Sequence, residues 1–225
     1  MNEVPAFIHF LFEGTAIGAV FLFYKASRNS AKSLLVLIVW MTIQGLIGQT
    51  GFYTITSSIP PRFILLLLPP LVCIAILFTT ARGRHYLDRL DLKSLTILHT
   101  IRIPVELVLF LLCLNKQVPQ LMTFEGRNFD ILAGLSAPFI AYFGFRKQMP
   151  DKTLLLIWNF ISLGLVLNIV INAVLSAPFP FQRFGFDQPD IALLYFPYVW
   201  LPCCIVPLVI LSHLASIRLL LKYKG

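Results

Sequence analysis

Long apolar runs, separated by short polar connectors, make up most of the chain. A helix that crosses a bilayer needs about 20 mostly apolar residues. Seven runs approach that length: Pro5–Tyr24, Ser33–Ile55, Arg62–Thr80, Leu95–Leu114, Phe129–Phe145, Thr153–Ser176 and Ile191–Leu221. The fifth is short and carries Pro138, and the last is long enough to tilt or to project beyond the membrane. The pattern predicts an all-α integral membrane protein, a bundle of about seven transmembrane helices forming one domain over residues 1–225.

The connectors alternate in charge. One set carries Lys25, Arg28 and Lys32; Arg82, Arg84, Arg89 and Lys93; Arg146, Lys147 and Lys152; and Arg218, Lys222 and Lys224. The other set carries only Arg62, Lys116, Arg127 and Arg183, together with the acids Glu3, Glu125, Asp130, Asp187 and Asp190. Basic residues collect in cytoplasmic loops, so the N-terminus is expected outside and the C-terminus in the cytoplasm. The N-terminus lacks the basic stretch of a signal peptide. The first run therefore reads as an uncleaved helix of a multi-pass protein of the plasma or inner membrane.

Composition sharpens this picture. Hydrophobic residues make up 58% of the 225 positions and charged residues 12%, against about 45–50% and about 25% in soluble domains. The net charge of +8 raises the question of nucleic acid. The basic residues sit between apolar runs rather than on an aromatic-interleaved face, so the expected partners are the lipid bilayer and a small molecule, with no nucleic acid. Cys73, Cys113, Cys203 and Cys204 all fall in or at the ends of apolar runs, without metal-site spacing.

Candidate chemistry lies in the polar residues held inside these runs. His99, Arg102 and Glu106 share one face of the fourth run, with Pro104 between the last two. An arginine at mid-membrane costs at least about 2.5–3.5 kcal/mol and usually marks a site or pathway. The alternative is an ion pair between Arg102 and Glu106, at i, i+4, that only holds helices together. Glu13 reaches a similar depth from the other side. His9 and Glu13 are weak metal candidates, and no metal is assigned. Gln44 and Gln49 stand among Gly45, Gly48 and Gly51, and Gly164, Asn168, Asn172 and Ser176 form a stripe in steps of four. Tyr195 and Tyr198 add hydroxyls in the last run. His99 and His213, at similar depths on two helices, have the form of a haem-ligating pair, though no second pair or glycine-rich face accompanies them.

Most of these polar groups fall near the midplane or in the outer half, as a cavity opening outward would require. The leading expectation is a protein that binds or transports a small polar, anionic or protonatable ligand. Arg102 would anchor it, with Glu106 as resting counter-ion, and Glu13, Gln49, Asn168, Asn172 and Tyr198 would line the remainder. The long connectors, with Glu125, Arg127 and Asp130, would form an external lid. One alternative is a membrane-embedded enzyme acting on a lipid or lipid-soluble substrate, possibly with a metal. A further one is a seven-helix receptor without catalysis. No motif fixes a reaction or a cofactor.

Overall fold

The computed structural model describes residues 4–146 and 149–223; Glu3, Lys147 and Lys224 of the charge pattern lie outside them. Among the described residues the regular structure is helical: α1 (Ala6–Ala26), α2 (Ala31–Gln49), α3 (Ile64–Thr79), α4 (Ala81–Leu87), α5 (Leu92–Leu98), α6 (Arg102–Leu114), α7 (Asp130–Gly144), α8 (Lys152–Ser176) and α9 (Val206–Lys222), with short 3₁₀ and π segments between them. Five stretches are long and apolar enough to cross a membrane: α1, α2, Leu92–Leu114, α8 and Leu201–Lys222. The bent pair α3–α4 makes a sixth if counted as one span, and α7, at 15 residues, is apolar but shorter.

Many large apolar side chains are exposed on the outer surface. Phe10, Ile17 and Phe21 on α1, Leu35 and Val36 on α2, Phe139 on α7 and Phe160, Ile161 and Ile171 on α8 are all more than half exposed. A continuous apolar exterior of this extent is not a surface for water, and it suggests a lipid environment. The helix α9 occupies the centre. It packs against α3, α5 and α8 and is buried on nearly every side, as an all-round apolar helix should be.

Prolines shape the backbone at defined places. Pro104 has no N–H to offer Thr100, four residues back, and the helix tightens to a 3₁₀ turn at His99–Ile101, between α5 and α6. Pro207 has no N–H to offer Cys203, four residues back. The indole Nε1 of Trp40 donates to that carbonyl instead, at 2.8 Å, and the backbone from Leu201 to Ile205 is a π segment. The last long helix therefore begins at Leu201 rather than Ile191; Ile191–Trp200 is a loop with one 3₁₀ turn at Ala192–Leu194. Gly45 and Gly48 let α2 approach Trp200 and Val199, and a Cβ on Gly48 would lie 3.0 Å from Val199. Gly51 has a different role, holding a left-handed turn (φ 72°).

The ends of the bundle are tied separately. At one end Asp88 receives Arg218 (2.8 Å) and Lys222 (2.5 Å), the Asp91 N–H donates to Ala26, and Lys152 donates to Tyr223. Arg218 is the main influence holding the Asp88 carboxyl below its usual range. At the other end the two long connectors bind each other. The N–H groups of Ile191 and Ala192 both donate to Gln117, and Gln188 Nε2 donates to the carbonyls of Cys113 and Val118. All four cysteines are free.

Candidate functional site

Arg102 is 2% exposed and belongs to a polar chain running through the bundle. Its guanidinium makes a two-pronged contact with Asp130, with Nε 2.6 Å from one carboxylate oxygen and Nη2 on the other. Nη2 also donates to the Ser162 carbonyl at 3.0 Å, and Nη1 lies 3.2 Å from His213 Nε2. On its far side, His213 Nδ1 is 2.8 Å from Asn159 Oδ1. The arginine's donors are thus largely satisfied by the protein itself.

This corrects the pairing expected from sequence, because the counter-ion of Arg102 is Asp130 and not Glu106. Glu106, 1% exposed, has both oxygens 2.7 Å from Asn128 Nδ2. Asn128 in turn accepts the Asp130 N–H at 3.0 Å through Oδ1. Asp130 is therefore not part of a lid with Glu125 and Arg127; it is the buried first residue of α7, aimed at α6. Gly134, one turn further along, explains the approach. A Cβ there would lie 3.0–3.2 Å from Ile103 and from the Arg102 Cβ, so glycine lets α7 come this close to α6 without displacing its neighbours. Ala133, Ala137 and Ala141 continue the small buried face.

The histidines lie against this chain. His99 stacks on His213 with ring centroids 3.8 Å apart and planes 15° apart, and Trp158 closes the group edge-on at 5.3 Å from His99. Two imidazoles ligating one iron must point ring nitrogens at it from opposite sides, and face-to-face stacking does not do this. The pair is a packing unit here, not the haem site its spacing resembled.

The other expected residues scatter. Glu13 is half-buried on α1, and His9 stands 5.4 Å from the fully buried Tyr198 ring. Gln49 is exposed at the end of α2, whereas Gln44 is buried and accepts from Tyr53. Asn168 is exposed and donates to the Arg127 carbonyl at 2.9 Å, fastening the connector to α8. Asn172 is buried and lies 3.4 Å from Asn168. Glu125 and Arg127 are exposed on that connector. Among the described residues, no three His, Cys, Asp or Glu side chains form a group able to hold a metal ion. Sequence reasoning missed Asn128, Asn159 and Ser162.

Arg102, Glu106 and Asp130 form one wall of a cleft of about 60 Å³. Its other walls are apolar: Phe63 just before α3 and Leu67 of α3, Val166, Ile169, Val170, Ala173 and Val174 of α8, and Leu201, Pro202, Ile205 and Val209 at the start of the last helix. From Val166 to Val174 the wall runs roughly 12 Å along α8. So small a volume makes the cleft a narrow slot. Phe63, one of the lining residues, packs against Phe179 with ring centroids 5.7 Å apart.

The fold and site define an all-helical chain with several apolar helices, compatible with a membrane protein, around a buried polar chain. It belongs to a family described as a domain of unknown function, DUF8737, whose model matches residues 59–221. The whole polar chain lies inside that match; His9, Glu13 and Gln49 precede it. No curated protein and no solved structure matches the chain.

Proposed function

We propose that the chain is a seven-span membrane protein that binds a slender amphiphile in the cleft between α3 and α8, its polar end against Arg102, Asp130 and Glu106. The observation that carries this is the union, in one slot, of apolar walls with one charged wall. A compact polar ligand would leave the apolar walls uncovered. A short, slender apolar segment would match the walls, and a hydroxyl or carboxyl at its end could exchange with the carboxylates around Arg102. This narrows the ligand expected from sequence to a lipid-soluble one, whether bound, carried or acted upon.

The test is lipid analysis of the purified protein. Wild type should retain one amphiphile through detergent exchange. Ala173→Trp, which fills the slot from a half-buried wall position, should fold and release it. An unchanged lipid profile in the folded variant would refute the site.

The seven spans are α1, α2, α3, Leu92–Leu114, α7, α8 and Leu201–Lys222, with the basic end in the cytoplasm. In a background with its four cysteines replaced by alanine, a cysteine at Glu125 should react with an impermeant thiol reagent from outside intact cells. One at Arg89 should react only after permeabilisation. The opposite pattern would invert the orientation.

A further inference from the structure

The basic end carries a second cavity, of about 320 Å³, lined by Ser27, Arg28, Ser30, Arg82, His85, Tyr86, Arg89 and Leu90. It exists because the backbone turns sharply after α3. The axes of α3 and α4 meet at 95°. Gly83 makes the turn possible, since a Cβ there would fall 2.5 Å from the Leu77 backbone. Thr80 fixes it, accepting from the Gly83 N–H at 3.1 Å and donating to Ile76 at 2.8 Å. With α3 crossing the bilayer, α4 lies along its surface. Gly83 and Leu87 of α4 and Leu90 beyond it are buried, while Arg82 and His85 on α4, and Arg89 just after it, are exposed.

The opposite rim is equally fixed. Arg28 and Asn29 hold left-handed backbone (φ 57° and 58°). Ser33 Oγ is 2.9 Å from Tyr86 Oη, and the Asp91 N–H ties to Ala26 at 2.8 Å. The nearby acids are engaged elsewhere, Asp88 by Arg218 and Lys222 and Asp91 by the Ser94 N–H. Among the described residues, Arg28, Arg82 and Arg89 have no carboxylate partner. Three guanidiniums on a held rim, with hydroxyls from Ser27, Ser30 and Tyr86, make a phosphate-recognition set.

We infer that this cavity binds the phosphate of an anionic membrane lipid, with the exposed Phe21 ring on α1, beside Lys25, meeting its tail. The inference rests on the bilayer-embedded arrangement proposed above. Basic pockets between helices on the cytoplasmic side commonly take such head groups.

The experiment compares thermal unfolding of the full chain in phosphatidylcholine vesicles with and without phosphatidylglycerol. Phosphatidylglycerol should raise the wild-type Tm by a few degrees. R82Q/R89Q, two exposed positions, should lose more than half of that rise. K93Q/R146Q, an equal charge loss at the same end but outside the cavity, should keep it. Equal losses in the two variants would reduce the effect to general surface charge and overturn the site, as would a full rise in R82Q/R89Q. Stabilisation of wild type but not R82Q/R89Q by inorganic phosphate in phosphatidylcholine alone would overturn the lipid assignment in favour of a soluble phosphate. Failure of the bilayer arrangement would appear separately, as wild type that does not reconstitute.

Discussion

Asp130→Leu should destabilise the protein by about 3–5 kcal/mol, because it leaves the Arg102 guanidinium buried without its carboxylate. Arg102→Met alone should cost a similar amount, stranding Asp130. The double variant Arg102→Met/Asp130→Leu should recover most of the loss, since apolar residues of similar volume often replace a buried ion pair at little cost. Chemical unfolding in detergent, arranged as a double-mutant cycle, measures this. The same double variant also tests the proposed site. If the pair only joins α6 to α7, the folded double variant keeps the copurifying amphiphile. If the pair receives the ligand's polar end, it folds and loses it, which is the expected result. Additive losses in the two single variants would mean the pair does not act as a unit and would contradict the observed geometry.

The cost of burying Arg102 and Glu106 was legible from sequence because it depends only on residue type and depth. Their partners were not. The i, i+4 rule is local to one helix, and it joined Arg102 to Glu106. The actual partner comes from α7, and what brings it there is an absent side chain, at Gly134. Asp130 was picked out as an acid in a long connector, but nothing in the spacing showed that this connector ends by turning its last carboxylate inward. Asn128, which holds Glu106 and caps Asp130, was invisible for the same reason.

The stripe on α8 shows a different failure. Steps of four were read as one face, yet a helix turns once in 3.6 residues, so each step drifts by about 40°. Gly164 and Asn168 accordingly lie on the exposed side, while Asn172 and Ser176 have rotated inward. The buried face follows the mixed three and four spacing through Leu155, Asn159, Ser162, Val166 and Ile169. Asn159 and Ser162, the two residues of α8 that reach His213 and Arg102, sit on it. Applying the 3.6 period would have found them. Depth alone also misled for Gln49 and Glu13, because position along the axis says nothing about which way a side chain faces. The depth match between His99 and His213, by contrast, did identify two residues in contact.

A second large effect should appear in the pH dependence of stability, and it comes from the loop that precedes the last helix. Asp190 is 1% exposed, and its Oδ1 has no hydrogen-bond partner. Burial raises its pKa to about 8, with the Leu193 N–H pulling weakly the other way. In the unfolded chain the same carboxyl ionises near pH 4. Below that value both states hold the proton and Asp190 contributes no pH dependence. Between about pH 4 and 8 the unfolded chain gives up its proton while the folded chain keeps it, so folding stability falls as pH rises, by about 1.4 kcal/mol per pH unit at most. Above about pH 8 the loss is complete. Asp190→Asn keeps the shape and the acceptor for Leu193 but cannot ionise. Its stability advantage over wild type should therefore be small near pH 4, grow to the order of 5 kcal/mol by pH 8 and then level off. Thermal unfolding of the two proteins in one detergent from pH 4 to pH 9 measures that difference, and other titrating groups cancel in it. An advantage that stays constant with pH would mean that Asp190 is ionised in the folded protein, and a wild type that gains on the variant as pH rises would mean that its carboxylate is stabilised there.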